Sequence, residues 1–142
     1  MDGWETMPYF ADTSFFLALK NKTDNFHHKA EEIVTEILHG RMDRPYSSDY
    51  ILDEAITIVR NELKNHKTAV EIGKMILRSK YINMIKVEKN IIEKAFESYE
   101  KYQDKDLSFT DWTSYHLIKQ KGLTGIISTD HHFEQVGIQM LK

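Results

Sequence analysis

Met7-Pro-Tyr-Phe-Ala-Asp12-Thr-Ser14 and Gly125-Ile-Ile-Ser-Thr-Asp130-His-His132 lie near opposite ends of a chain of 142 residues, and each is a short β-like run that leads into an acid. In a parallel sheet the carboxyl ends of neighbouring strands open onto one crevice, so acids placed just past two strands can meet although far apart in sequence. Carboxylates that meet repel one another. At about 4 Å and an effective dielectric near 20, each pair costs roughly 4 kcal/mol, so the arrangement makes chemical sense mainly around a hard cation. The repeated pattern thus predicts a parallel sheet with a metal site at its edge.

Between the two runs, β-like and helical periods alternate. Tyr9 to Ala11 reads as a strand and Ser14 to Lys20 as a short helix capped by Thr13 or Ser14. Asp24 is placed to cap a second helix, in which Phe26, Ala30, Ile33, Val34, Ile37 and Leu38 keep the 3.6 period until Gly40 stops it. A strand over Pro45 to Ser48 precedes a helix from Asp49 to about Lys64 and another from Lys67 to Arg78. Tyr81 to Val87 has strand character, and a helix from Lys89 to Gln103 carries Ile92, Ala95, Phe96 and Tyr99. Ser108 to Lys121 forms the last long helix, ended by Gly122, after which Gly125 to Ser128 and Ile138 to Leu141 close the sheet. Strands separated by helices define an α/β fold with a mostly parallel sheet.

Bulk composition sets the frame. An apolar content of 41% over 142 residues supports one domain, 1–142, with a real core, and no repeat or linker marks a second. Cysteine is absent, which removes disulfides and thiolate metal sites and fits a reducing compartment. No stretch of 18 apolar residues and no signal-type apolar segment occurs, since the opening Met1-Asp-Gly-Trp-Glu5 is polar and acidic. The expectation is a cytoplasmic protein with no membrane segment. A net charge of −3 argues against broad electrostatic binding of nucleic acid, but neutralising four clustered acids would turn the balance slightly positive and leave room for a local basic groove.

Helical-wheel geometry separates two more acids from ordinary surface ones. Ile51, Leu52, Ala55, Ile56, Ile58, Val59 and Leu63 form one apolar arc, and Glu54 falls on its edge, about 40° from Ile58, where it can border a cleft. Asp111 shares a stripe with Tyr115 and Ile118, an unexpected place for a solvated acid. Each acid also has a structural reading. Ser108-Phe-Thr-Asp111 is a helix-start capping pattern, Glu62 rivals Glu54 on the same helix, and Asp12 and Asp130 suit turns or caps. Four such coincidences weigh towards a shared site.

Taken in order, Phe10-Ala-Asp12-Thr-Ser-Phe, Asp53-Glu54, Tyr102-Gln-Asp104-Lys-Asp106-Leu-Ser108-Phe-Thr-Asp111 and Ser128-Thr-Asp130-His-His-Phe133 resemble the PIN domain. Within that family the chain is similar to the VapC-type toxins of toxin–antitoxin pairs and to stand-alone prokaryotic relatives. The resemblance spans essentially the whole chain. It implies a three-layer α/β/α fold and a metal-dependent endoribonuclease with Asp12, Glu54, Asp111 and Asp130 as an acidic quartet. Asp104 and Asp106 are candidates for an outer contribution. It also implies Mg²⁺ or Mn²⁺ as cofactor, RNA as substrate, a small antitoxin as a candidate partner, and a symmetric homodimer.

Such ions take oxygen ligands and keep several waters, so a few carboxylates suffice and positions stay open for a scissile phosphate. Asp12 and Asp130 are the expected direct ligands. Glu54 and Asp111 would complete the shell through water or orient the attacking water, while Ser14 and Thr129 would position the acids by hydrogen bonding. Other polar residues carry weaker signals: His131 and His132 for phosphate or metal, Trp112 and Tyr115 for base stacking or core packing, and Arg41, Arg44 and Lys105 for the RNA backbone. His27 and His28, at a helix start, read as packing or surface residues. The competing classes are an RNA-processing nuclease without an antitoxin, a non-catalytic PIN-like binding module, and a phosphatase or receiver domain. The distance from Asp12 to Glu54 and the late Asp130 do not suit a receiver.

Overall fold

Three-residue strands suffice here because the two inner ones are paired on both sides and the strands at Tyr9–Ala11 and Gly125–Ile127 are wholly buried. The computed structural model describes residues 8–141, and the polar opening Met1–Glu5 lies outside them. Four strands, β1 (Tyr9–Ala11), β2 (Tyr46–Ser48), β3 (Asn83–Ile85) and β4 (Gly125–Ile127), form one parallel sheet in the order β3-β2-β1-β4. Every residue of β1 and β4 is buried, as a parallel sheet covered on both faces requires. Helices α1 (Thr13–Leu19), α2 (His27–Leu38), α3 (Asp49–Thr57), α4 (His66–Arg78), α5 (Lys89–Lys101) and α6 (Phe109–Lys121) pack largely as successive pairs in a three-layer α/β/α arrangement. One core joins strand residues such as Phe10 and Ile126 to Phe15, Phe16, Ile33, Ile51, Ile72, Ile91 and Trp112 from the helices.

Local chemistry explains most boundaries. Ser48 caps α3 by accepting the Ile51 N–H, and Asn65 caps α4 by accepting that of Thr68. Ser108 and Asp111 form a reciprocal capping box at α6, and Gly122, at φ +64°, ends that helix in the left-handed region.

Several expectations need correction. Asp24 does not cap α2 itself. Its carboxylate accepts the Phe26 N–H and builds the turn before the helix, which starts at His27. The helix read as continuous to Lys64 stays α-helical only to Thr57 and then widens into a π-helical turn, Ile58–Glu62. Glu62 is exposed there. Ile138 to Leu141 does not form a full strand, because pairing stops at a single parallel bridge between Met140 and Ile126. That close approach explains Gly125. A Cβ at this position would lie 2.1 Å from the Gln139 carbonyl oxygen. On α5 the buried stripe is Ile91 and Ala95, while Phe96 and Tyr99 are 56% and 51% exposed.

Candidate active site

Register brings the two terminal motifs together. Tyr9, Phe10 and Ala11 pair with Gly125, Ile126 and Ile127, so Asp12 and Ser128 leave adjacent parallel strands side by side. The Asp12 N–H continues the ladder to the Ile127 carbonyl (3.1 Å), and the Ser128 hydroxyl donates to Asp12 Oδ2 at 2.7 Å. Ser14, the second residue of α1, lies 3.2 Å from that hydroxyl and accepts the Thr129 N–H at 2.9 Å. The Asp130 N–H donates back to Ser128 Oγ, also at 2.9 Å. Ser128 is therefore the hub, and Ser14 and Thr129 tie α1 to the loop around it.

The other two acids arrive on helices. Glu54 takes a hydrogen bond from the Thr13 hydroxyl at 2.5 Å, which fixes α3 against the first residue of α1. Asp111 stands at the third position of α6 and accepts the Ser108 N–H at 2.9 Å. Its capping role and its place among the acids coexist, since the box commits one carboxylate oxygen to that bond. Asp130 caps the 3₁₀ turn His131–Val136, accepting the His132 N–H and facing His132 Nδ1, both at 2.9 Å.

Electrostatics shows which acids share a field. Asp12 is only 5% exposed, and burial pushes its carboxyl up to about 7 against the lowering pull of the Ser128 hydrogen bond, with further upward pressure from Asp111 and Glu54. Burial also raises Asp111, opposed by its bonds to Ser108 and reinforced by Asp130 and Glu54. Asp12, Glu54 and Asp111 thus share one field, and Asp130 joins it through Asp111. Glu62, Asp104 and Asp106 are not among the charges acting on Asp12 or Asp111. Asp104 pairs with Lys105 at 3.4 Å, and the Asp106 N–H meets the Gln135 amide.

The donor set fits a hard cation. Asp12 Oδ1 is buried without any hydrogen-bond partner, and the groups around it are carboxylate and hydroxyl oxygens. Among the described residues, no three acids or imidazoles close on one point at coordination distance. Glu54, Asp111 and Asp130 each commit a carboxylate oxygen to a protein donor. One or two carboxylates with several waters is the usual shell of Mg²⁺, so this spacing does not conflict with the chemistry.

Residues 9–139 match the PIN domain family. The chain belongs to that family. Like this PIN domain, the 23S rRNA-specific endonuclease VapC20 of Mycobacterium tuberculosis is of similar length. In the strains CDC 1551 / Oshkosh and ATCC 25618 / H37Rv it is 27% identical over 128 residues, 90% of this chain and 93% of its own. The crystal structure of M. tuberculosis VapC20, a Sarcin-Ricin loop cleaving toxin, covers 92% of this PIN domain and 96% of that chain at a TM-score of 0.82 and 24% identity, which shows a common fold.

Weaker candidates sort by position. Trp112 is buried, stacked on Tyr102 and edge-on to Tyr115, so it serves the core of the PIN domain. His131 is held by Glu134 at 2.6 Å. Buried His27 bonds the Ala18 carbonyl, a packing role, whereas His28 is exposed. Arg44 precedes β2 and donates to the Lys80 carbonyl ahead of β3, while Arg41 is held by Glu36, so both lie towards the strand starts, opposite the acids. Two functional residues carry no distinct signal in the sequence. Ser128 takes its place opposite Asp12 only through the β1–β4 register. Thr13, a helix-cap candidate by sequence, is instead the first residue of α1, and its hydroxyl holds Glu54.

Proposed function

We propose that this PIN domain is a metal-dependent endoribonuclease that hydrolyses phosphodiester bonds in single-stranded or structured RNA, and that it is the toxin of a toxin–antitoxin pair. The observation that carries the reading is Asp12 Oδ1, a buried acceptor without a partner, in the field of Glu54 and Asp111 at the carboxyl edge of a parallel sheet. Similarity over 90% of this chain to an rRNA endonuclease supports RNA as the substrate.

Asp12 and Asp130 would hold Mg²⁺ or Mn²⁺. When bound, such an ion supplies Lewis-acid chemistry, acidifying water and screening charge on the phosphoryl oxygens. Ser128 holds Asp12 in place through Oδ2 and leaves Oδ1 for the ion. Thr13 orients Glu54, and the capping box fixes Asp111. Their unshared oxygens are placed to accept protons from water and to position it for attack. Ser14 and Thr129 act at one remove, by keeping Ser128 aligned.

A small antitoxin is the proposed protein partner. A homodimer is proposed through the exposed Phe96 and Tyr99 of α5, which packs on α6 and so lies beside the helix that carries Asp111. No described helix is long and apolar enough to cross a membrane, and the proposed compartment is the cytoplasm.

The test is cleavage of end-labelled RNA with Mg²⁺ or Mn²⁺, with EDTA, and with Asp12→Asn and Asp130→Asn. Metal-dependent cutting that both substitutions abolish is the expected result. A wild-type chain that binds RNA but never cuts it would instead favour a non-catalytic PIN-like module.

A further inference from the structure

A cleft of about 710 Å³ opens beside Ser128, the residue whose hydroxyl holds Asp12. Phe26, Met140 and Leu141 give it apolar surface, Asp24, Asn25 and two threonines add polar groups, and His131 stands on the wall with its Nδ1 engaged by Glu134. Its size falls in the range of roughly 300–1,000 Å³ usual for small-ligand sites. Asp24 Oδ1 is taken by the Phe26 N–H at 2.8 Å, which leaves Oδ2 available, and Asn25 is exposed. No Lys or Arg lines the cleft among the described residues.

That composition suits a base better than a phosphate. A carboxylate on the wall repels phosphate, and the apolar surface accommodates a flat ring. Asp24 accepts hydrogen bonds only, so it favours an edge that donates. Adenine N6, cytosine N4 and the guanine amino group are such edges, whereas the one donor on the uracil edge, N3–H, lies between the O2 and O4 carbonyls, whose lone pairs repel the carboxylate. Because Ser128 both lines the cleft and bonds Asp12, a nucleotide whose phosphate reaches the acids has a neighbouring base within reach of this cleft.

We propose that the cleft formed by the loop before α2 and the segment after β4 is a nucleobase pocket, which seats a base next to the scissile phosphate and favours bases bearing an exocyclic amino group. It rests on the ribonuclease reading above and extends it to substrate selection. Asn25 and Asp24 are the specificity residues, reading the base edge.

Two measurements test it on the full chain. First, wild type, Asn25→Ala and Asp24→Asn are each incubated with a randomised RNA library and Mn²⁺, and the cut ends are sequenced. Asp24→Asn keeps an oxygen for the Phe26 N–H, so the turn before α2 survives while the charge is lost. Second, anisotropy measures binding of short homo-oligomers of A, C and U to the Asp12→Asn chain with and without the two changes. The wild-type profile should be depleted in uridine at one position beside the cut. Both substitutions should erase that depletion and weaken oligo-A and oligo-C by at least about tenfold, with oligo-U unchanged. Cutting with the same base profile in all three proteins, or an equal loss for all three oligomers, overturns the pocket and leaves the ribonuclease reading standing. A wild-type chain that cuts nothing, while the oligomers still bind with the expected preference, overturns the ribonuclease reading and supports the pocket.

Discussion

Replacing Asp12 by Asn should stabilise the metal-free protein, and the gain should grow as pH rises. Burial lifts the Asp12 carboxyl from 3.8 to about 7 in the folded state. Between those values the folded chain holds a proton that the unfolded chain has released, so wild-type stability falls as pH rises through this window. Each unit is worth about 1.36 kcal/mol, so the full penalty above pH 7 is roughly 4 kcal/mol. Asn removes that term and keeps an oxygen to accept the Ser128 hydroxyl. Its NH₂ group would occupy the place of Oδ1, which has no partner, and a buried unpaired donor costs about 1–3 kcal/mol. The offset does not depend on pH, which makes the slope more informative than the absolute value. From pH 5 to pH 8, urea unfolding in EDTA should show the stability of Asp12→Asn gaining on wild type by roughly 3 kcal/mol. Parallel pH curves for the two proteins, or a gap that narrows with pH, would refute the reasoning.

In the metal-bound direction, Mg²⁺ or Mn²⁺ at a hundred times its dissociation constant should stabilise wild type by about 2.7 kcal/mol, with no shift in melting temperature for Asp12→Asn; equal shifts in both would place the ion elsewhere. Ser128→Ala strips Asp12 Oδ2 of its donor, so a loss of about 1–3 kcal/mol by urea unfolding and weaker metal binding in calorimetry are expected, whereas unchanged metal affinity would remove Ser128 from the site. Gly125→Ala sets a Cβ against the Gln139 carbonyl and should lower the melting temperature clearly, and a neutral result would mean that the C-terminal segment is free to move away. Phe96→Ala with Tyr99→Ala should reduce the sedimenting mass from twice 16.7 kDa to that of one chain, with little change in unfolding; a monomeric wild type would overturn the dimer.

The parts of this protein that follow a local rule were legible in its residues. β1 and β4 are short apolar runs ending in an acid, Ser108 and Asp111 have the spacing of a capping box, and Gly122 is placed where a helix must turn left-handed. Features set by the partner across space were not. Ser128 meets Asp12 only because β1 and β4 pair in one register, and Thr13 reaches Glu54 only because α1 packs on α3. On α5 the stripes Ile91/Ala95 and Phe96/Tyr99 both obey the helical period, and packing against α6 alone decides which is buried. The C-terminal residues have strand-like composition, yet one bridge to Ile126 is all that forms. As for the acids, the wheel sets Glu54 at the edge of an apolar arc and Asp111 on a stripe with Tyr115 and Ile118, but their mutual distances depend on tertiary contacts that no periodicity encodes.

A divalent ion at Asp12 is the centre of the proposed chemistry, and anomalous diffraction from crystals grown with Mn²⁺ looks for it directly. The expected result is a manganese peak bonded to the Asp12 carboxylate, with Asp130 the other direct protein ligand and Glu54 or Asp111 joined to the ion through water. No peak at Asp12 at millimolar Mn²⁺, with Oδ1 still unpartnered, would contradict it.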